Sequence, residues 1–220
     1  MTLTLYKKKR KFNETPEPKA KLKRSLDEHQ FVVHKHDASH LHYDLRLEME
    51  GVLKSWAIPK GPSMNPNDKR LAIMVEDHPL DYGKFEGIIP EGNYGAGTVM
   101  IWDEGTYQAI DTKEKTENEK ALLEGLQKGN LKIILKGKKL NGEFALVKMH
   151  LKKGNEWLFI KKKDEYANVK DVLNEDKSIV TKRSLEQIKT QSGKKKESIV
   201  SDKITQTNHS KKKAKMKPAY

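Results

Sequence analysis

HLHYDLRLEMEG, residues 40–51, alternates polar and apolar side chains almost without error. Leu41, Tyr43, Leu45, Leu47 and Met49 fall on one side of an extended chain and His40, His42, Asp44, Arg46 and Glu48 on the other, the period of a β-strand. Around it lie further short β-rich runs: FVV (31–33), VLKSWAI (52–58), RLAIMV (70–75), GTVMIWDEG (97–105), GNLKIILKG (129–137), GEFALVKM (142–149) and NEWLFIKKK (155–163). Gly, Pro and Asn punctuate them, and so many short strands predict a mainly β domain, a barrel or a sandwich. LNG (140–142) reads as an Asn-Gly hairpin turn between two of the runs. One long helix is predicted over 115–129, with Ala121, Leu122, Leu123 and Leu126 as its apolar stripe and Gly129 as its stop. Ser25 is expected to cap a short helix or turn ahead of FVV. Trp56, Trp102 and Trp157 are expected in the core.

The 220 residues suffice for one domain with a core that needs no staples. Zero cysteines exclude disulfides, zinc–thiolate sites and a cysteine nucleophile, so a metal would have to sit on His, Asp or Glu. No run of about 18 apolar residues and no apolar segment behind the first lysines is present, which predicts a cytoplasmic protein with no membrane partner. The net charge of +13 sits at the ends: residues 1–24 and residues 191–220 each carry nine basic and two acidic residues, and the stretch between them is near neutral. Such ends would neutralise phosphates of a nucleic acid, or simply keep the chain in solution. The expected organisation is a basic N-terminal arm (1–24), a β domain (25–175) and a basic, disordered tail (176–220).

On the polar side of the 40–51 strand, side chains two residues apart emerge about 7 Å from one another. His40, His42 and Asp44 share this side and His36 upstream has the same parity; two imidazoles and a carboxylate converging from among them would form a nitrogen and oxygen donor set compatible with manganese, iron or zinc. Arg46 beside such a cation would grip an anionic phosphoryl group. The plainer reading is a strand face that is merely polar and solvated. A second cluster, EDHPLDYGKFEG (76–87), delivers Glu76, His78 and Tyr82 at a strand end, and Lys60 and Arg70 are further candidate phosphate ligands. The glycines at 92, 95 and 97 lack the order of a nucleotide-binding P-loop and predict tight turning. Serine-hydrolase elbow, His-Glu-x-x-His and ligase lysine motifs are all absent.

FVVHKHDASHLHYDLRLEMEGVLKSWAIPKGPS (31–63), RLAIMVEDHPLDYGKFEGIIPEGNYGAGTV (70–99) and WLFIKKKDEYA (157–167) together closely resemble the 3′-phosphoesterase domain of bacterial DNA ligase D repair enzymes and its stand-alone bacterial and archaeal relatives. The resemblance spans about residues 6 to 167. It implies a compact antiparallel β-barrel-like domain with short helices. The implied activity uses Mn2+, or another divalent transition metal, to remove a 3′-terminal ribonucleotide and then the 3′-phosphate, leaving a 3′-hydroxyl. DNA or RNA 3′ ends in a primer-template would be the substrate, and a separate ligase and polymerase the candidate partners. The alternative is a protein that binds nucleic acid without catalysis.

Carried over by motif, His36, His42 and Asp44 would hold the metal. Arg46 and His78 would meet the scissile phosphate, with Tyr82 in the same pocket. Lys60 and Arg70 would assist phosphate removal, and Arg10, Glu17 and Glu76 the diesterase step. Two positions depart from the family pattern, His34 where Gln is common and Lys11 where Asp usually follows the arginine; both bear on ribonucleotide removal rather than on the phosphatase.

Overall fold

The computed structural model describes residues 3–23, 28–110, 112, 115–151 and 154–190. Its strands are β1 (Gln30–Asp37), β2 (Leu41–Met49), β3 (Val52–Ile58), β4 (Lys69–Met74), β5 (His78–Pro79), β6 (Gly87–Ile89), β7 (Gly97–Ala109), β8 (Asn130–Gly137), β9 (Asn141–Lys148) and β10 (Glu156–Lys161). They pair antiparallel in the order β1-β2-β3-β4-β10-β9-β8-β7, and β7 returns to β1, so eight strands close a barrel. The short β5 pairs with β3 and β6 with β7, outside the closed ring. Helix α1 is Thr4–Lys9 and α2 is Lys115–Lys128, the latter ending at Gly129 with φ +71°.

An eight-stranded barrel is narrow enough for side chains to fill. Leu45, Leu47, Met49, Trp56, Trp102, Trp157, Phe144 and Phe159 do so here, and the last two rings stack 4.8 Å apart. α2 adds Leu122 to this core, and residues 172–188 add Val172, Leu185 and Ile188. The chain is therefore packed against the barrel well past residue 175, where the sequence had suggested that a tail begins; Trp102 Nε1 donates to the Glu175 carbonyl at 2.7 Å and the Ile179 amide to the Ile101 carbonyl at 3.1 Å. Ser25 and residues 191–220 lie outside the described residues.

Two further readings change. The N-terminal segment is no loose arm: Leu3 and Tyr6 join Val52, Leu53, Tyr82, Phe85, Ile89 and Val99 in a second apolar cluster on the outside of the barrel, and the Tyr6 hydroxyl donates to the Pro18 carbonyl at 2.7 Å. The Asn-Gly pair is not the hairpin turn either. Asn141 and Gly142 are already paired with Lys136 and Leu135 inside β9, and the turn is made by 137–140. The buried Asp103 carboxylate accepts from the amides of Lys138, Lys139 and Leu140 at 2.9, 3.1 and 2.8 Å, so a charged acceptor from β7 shapes the turn in place of local turn chemistry. Gly142 still has φ +84°, and a Cβ there would strike Asp164 and Tyr166. The β2–β3 connection is the tight one, Glu50 and Gly51 with φ +50° and +78°, the two positive angles of a hairpin turn matched to strand twist.

Candidate active site

Because β2 is covered on both sides, its polar residues are not a solvated face: Asp44, Arg46 and Glu48 are 6, 3 and 6% exposed. Antiparallel register assembles the site on the outer surface of three strands. His36 stands opposite His42, His34 opposite Asp44, and Val32 opposite Arg46 across β1–β2. Ser55 stands opposite Arg46 across β2–β3, and His78 opposite Leu53 across β3–β5. The neighbouring positions of opposite parity, Val33, Leu45 and Trp56, line the barrel core.

His36, His42 and Asp44 each offer a ligand atom within 4.8 Å of the others. Both rings are pinned from behind. His36 Nε2 donates to the Gly95 carbonyl at 3.0 Å and His42 Nδ1 to the His40 carbonyl at 2.9 Å; since a carbonyl only accepts, His36 Nδ1 and His42 Nε2 are the nitrogens that a neutral ring offers as ligand lone pairs. Each lies 3.7 Å from an Asp44 oxygen. Burial opposes ionisation of Asp44, but the Arg46 guanidinium beside it outweighs that and holds the carboxyl well below the usual range. Two imidazoles and one carboxylate, oriented by backbone carbonyls, fit a borderline divalent transition metal.

Arg46 is fixed by three hydrogen bonds, from Nε to His34 Nδ1 (3.2 Å), Nη1 to Ser55 Oγ (2.9 Å) and Nη2 to Asp44 Oδ2 (3.0 Å), with its guanidinium 4.7 Å from the centre of the Tyr82 ring. Among the described residues three of the five guanidinium N–H groups are thereby used, which leaves two for an anion. His34 must carry its proton on Nε2, which faces the Phe85 backbone outside good hydrogen-bond geometry. Full burial, reinforced by Arg46, lowers its pKa from 6.5 to about 3 and keeps the ring neutral.

His78 is neutral for the same reasons: burial, then Arg46 and Arg10, push its pKa well below 6.5. Its Nδ1 donates to the Glu76 carbonyl at 2.9 Å, so Nε2 accepts from Arg10 Nη2 at 3.1 Å. Arg10 also reaches Glu17 Oε1 (3.1 Å) and Glu76 Oε1 (2.7 Å), while Lys9 takes Glu76 Oε2 at 2.9 Å. Burial opposes ionisation of Glu76 too, and the hydrogen bonds from Arg10 and Lys9 prevail, so its pKa falls. Burial pushes the Tyr82 phenol far above 10, so it remains protonated.

A cavity of about 80 Å³ opens among Arg10, His36, Asp44, Arg46, Glu76, His78 and Tyr82. Lys60 and Arg70 are not brought into it. They line a separate depression of about 380 Å³ with Asp68 and Lys69, where Arg70 pairs with Asp68 at 2.9 Å. Glu17 is buried behind Arg10, and Lys11 lies at the surface beside Glu14. Residue patterns had not singled out Ser55, Lys9, Tyr94 or the carbonyls of Gly95 and His40. The polar Ser55 within the strand run VLKSWAI was the only visible signal; backbone acceptors leave none.

The molecule is of a class defined by a closed antiparallel β-barrel that carries on its outer surface a small arginine-lined cavity and a His₂Asp cluster. The family model for the DNA ligase D 3′-phosphoesterase domain matches residues 34–148, more than half of the chain, and the chain belongs to that family. Among relatives, it is 46% identical over 190 residues to the multifunctional non-homologous end joining protein LigD of Pseudomonas aeruginosa, an alignment covering 83% of this chain and 22% of that protein. It is 39% identical over 166 residues to LigD of Mycolicibacterium smegmatis, covering 74% and 21%. The matched segment is thus about a fifth of the length of these multifunctional relatives.

Proposed function

We propose that this chain is a metal-dependent 3′-end phosphoesterase, removing 3′-phosphates and 3′-terminal ribonucleotides from DNA or RNA primer-templates to leave 3′-hydroxyl ends for a ligase or polymerase. The observation that carries it is the pairing of two carbonyl-pinned imidazoles and Asp44 with an arginine that, among the described residues, uses only three of its five N–H groups. His36 Nδ1, His42 Nε2 and Asp44 would hold the ion, with Mn2+ the expected one. Such an ion, when bound, polarises a phosphoryl oxygen or activates water. Arg46 holds the transferring group through its free N–H groups and stabilises charge that grows on the phosphoryl oxygens. Tyr82, kept protonated, supplies a neutral hydroxyl at the cavity wall.

His78 must acquire a proton on Nε2 to donate to the leaving oxygen, the 3′ oxygen in phosphate removal and the 5′ oxygen of the departing residue in ribonucleotide removal. The two guanidinium groups that hold it neutral are those that an incoming phosphoryl anion would offset, so substrate binding favours the imidazolium. Arg10 would then release Nε2 to the leaving oxygen. Lys60 and Arg70, in their own depression, suit the substrate strand better than the scissile phosphate.

The test is incubation with a primer-template ending in a 3′-phosphate or in one ribonucleotide, with Mn2+, Mg2+ or chelator, the products resolved on a sequencing gel. Metal-dependent conversion of both ends to 3′-hydroxyl is expected, and His78→Ala should lower turnover by about a hundredfold or more. Binding without conversion of either end would reduce the chain to a nucleic-acid-binding protein.

A further inference from the structure

The cavity of about 80 Å³ has room for a few water-sized groups, enough for a phosphoryl group and too little for a nucleoside. A base attached to that phosphoryl group has to lie at the mouth. Of the two tyrosine rings that line the cavity, Tyr82 is buried and Tyr94 is 50% exposed.

Tyr94 is also held in place. Lys9 Nζ donates to its hydroxyl at 3.1 Å and lies 4.3 Å from the ring centre, and the Arg10 guanidinium lies 5.4 Å from it. Both cations are anchored on Glu76 at the cavity wall. The turn that carries Tyr94 is fixed by Gly92 and Gly95 with φ +83° and +74°, and the Gly95 carbonyl is the acceptor that orients His36. Nothing lies within 4 Å of a Cβ placed on Gly92, so the space beside the turn is open. A ring that served only to solvate the rim would need none of this bracing.

We propose that Tyr94 is the stacking platform for the nucleobase of the terminal residue, the one whose 3′ oxygen carries the phosphoryl group, and that it makes the enzyme select ends bearing a base over abasic ends. The assignment rests on the 3′-phosphoesterase reading of the adjoining cavity. Stacking of a base on an aromatic side chain tolerates any base sequence, and its loss on alanine substitution corresponds to about five- to a hundredfold in affinity.

The experiment uses the full chain with Mn2+ and two 3′-phosphorylated primer-templates, one ending in a natural nucleotide and one in an abasic residue. The wild type is expected to favour the base-bearing end by about tenfold in kcat/KM. Tyr94→Ala should collapse that preference mainly through KM, and Tyr94→Phe should keep it. Equal losses on both ends in Tyr94→Ala, or a Phe variant as impaired as the Ala variant, would overturn the platform in favour of a bracing role for the hydroxyl. A binding readout separates this from the parent reading. A terminal 2-aminopurine should be quenched by the wild type and Tyr94→Phe but not by Tyr94→Ala. Quenching without turnover would sink the phosphoesterase and leave the platform standing, whereas equal fluorescence with all three proteins would remove the platform.

Discussion

At the scale of single residues, the chemistry depends on which ring nitrogen carries a proton. His34, at the position where the resemblance leads us to expect Gln, accepts from Arg46 Nε through Nδ1, a role that a glutamine carbonyl can also fill. His34→Gln is therefore expected to keep turnover on a 3′-phosphate within about fivefold, whereas His34→Ala, which orphans a buried guanidinium N–H, should cost about tenfold or more. Steady-state kinetics on the purified variants checks the pair. The same burial shapes the response to acid. His34 and His78 have folded values below 6.5, so under that pH the unfolded chain binds more protons and stability rises with pH. Their contribution is complete above about pH 6.5 and is lost as pH falls, by up to about 1.4 kcal/mol per pH unit for each histidine, until for His34 the folded value near 3 is reached. Urea unfolding of metal-free protein at pH 7.5, 6 and 5 should show the midpoint falling; a flat profile would mean that these rings are hydrated.

Among the secondary-structure elements, α1 and the segment after it matter more than their charge suggested. Arg10 and Glu17 were marked only through a family resemblance, because lysine-rich sequence around them reads as solvated arm. In the fold their side chains are 4 and 0% exposed, and Tyr6 is wedged beside His78 with ring centres 5.1 Å apart. Removing residues 1–20 should thus lower kcat/KM by about a hundredfold, since Glu76 and His78 lose their cationic partners. Mn2+ affinity, measured by calorimetry, should fall by less than about tenfold, because His36, His42 and Asp44 are supported from β1, β2 and the Gly95 carbonyl. What was legible beforehand follows from periodicity. The strands alternate, so β2 and its site-facing residues could be read directly, and α2 could be read from its stripe and terminal glycine. Closure of the barrel through β1–β7, the clamp by Asp103 and the packing of 172–188 all join residues distant in sequence, and no local pattern encodes them.

For the whole molecule, charge and chemistry are separated along the chain. The nine lysines of residues 191–220 lie outside the segment that matches the family, so they are expected to govern encounter rather than turnover. Deleting 191–220 should leave kcat on a short 3′-phosphate oligonucleotide within about twofold while flattening the dependence of log KM on log salt, as fewer counterions are released. An unchanged salt slope would assign the electrostatic attraction to the barrel itself. The β1-β2-β3 surface also divides labour between its two sides, Leu45 and Trp56 turned to the core and Asp44, Arg46 and Ser55 turned to the cavity. In a saturation mutational scan of β2, alternate codons should consequently report to different screens. Odd positions would dominate the loss of cellular abundance, and even positions the loss of the proposed phosphoesterase turnover in molecules that still accumulate. Such a barcode of alternating sensitivities would let selection tune the reaction and the scaffold almost independently within a single nine-residue strand.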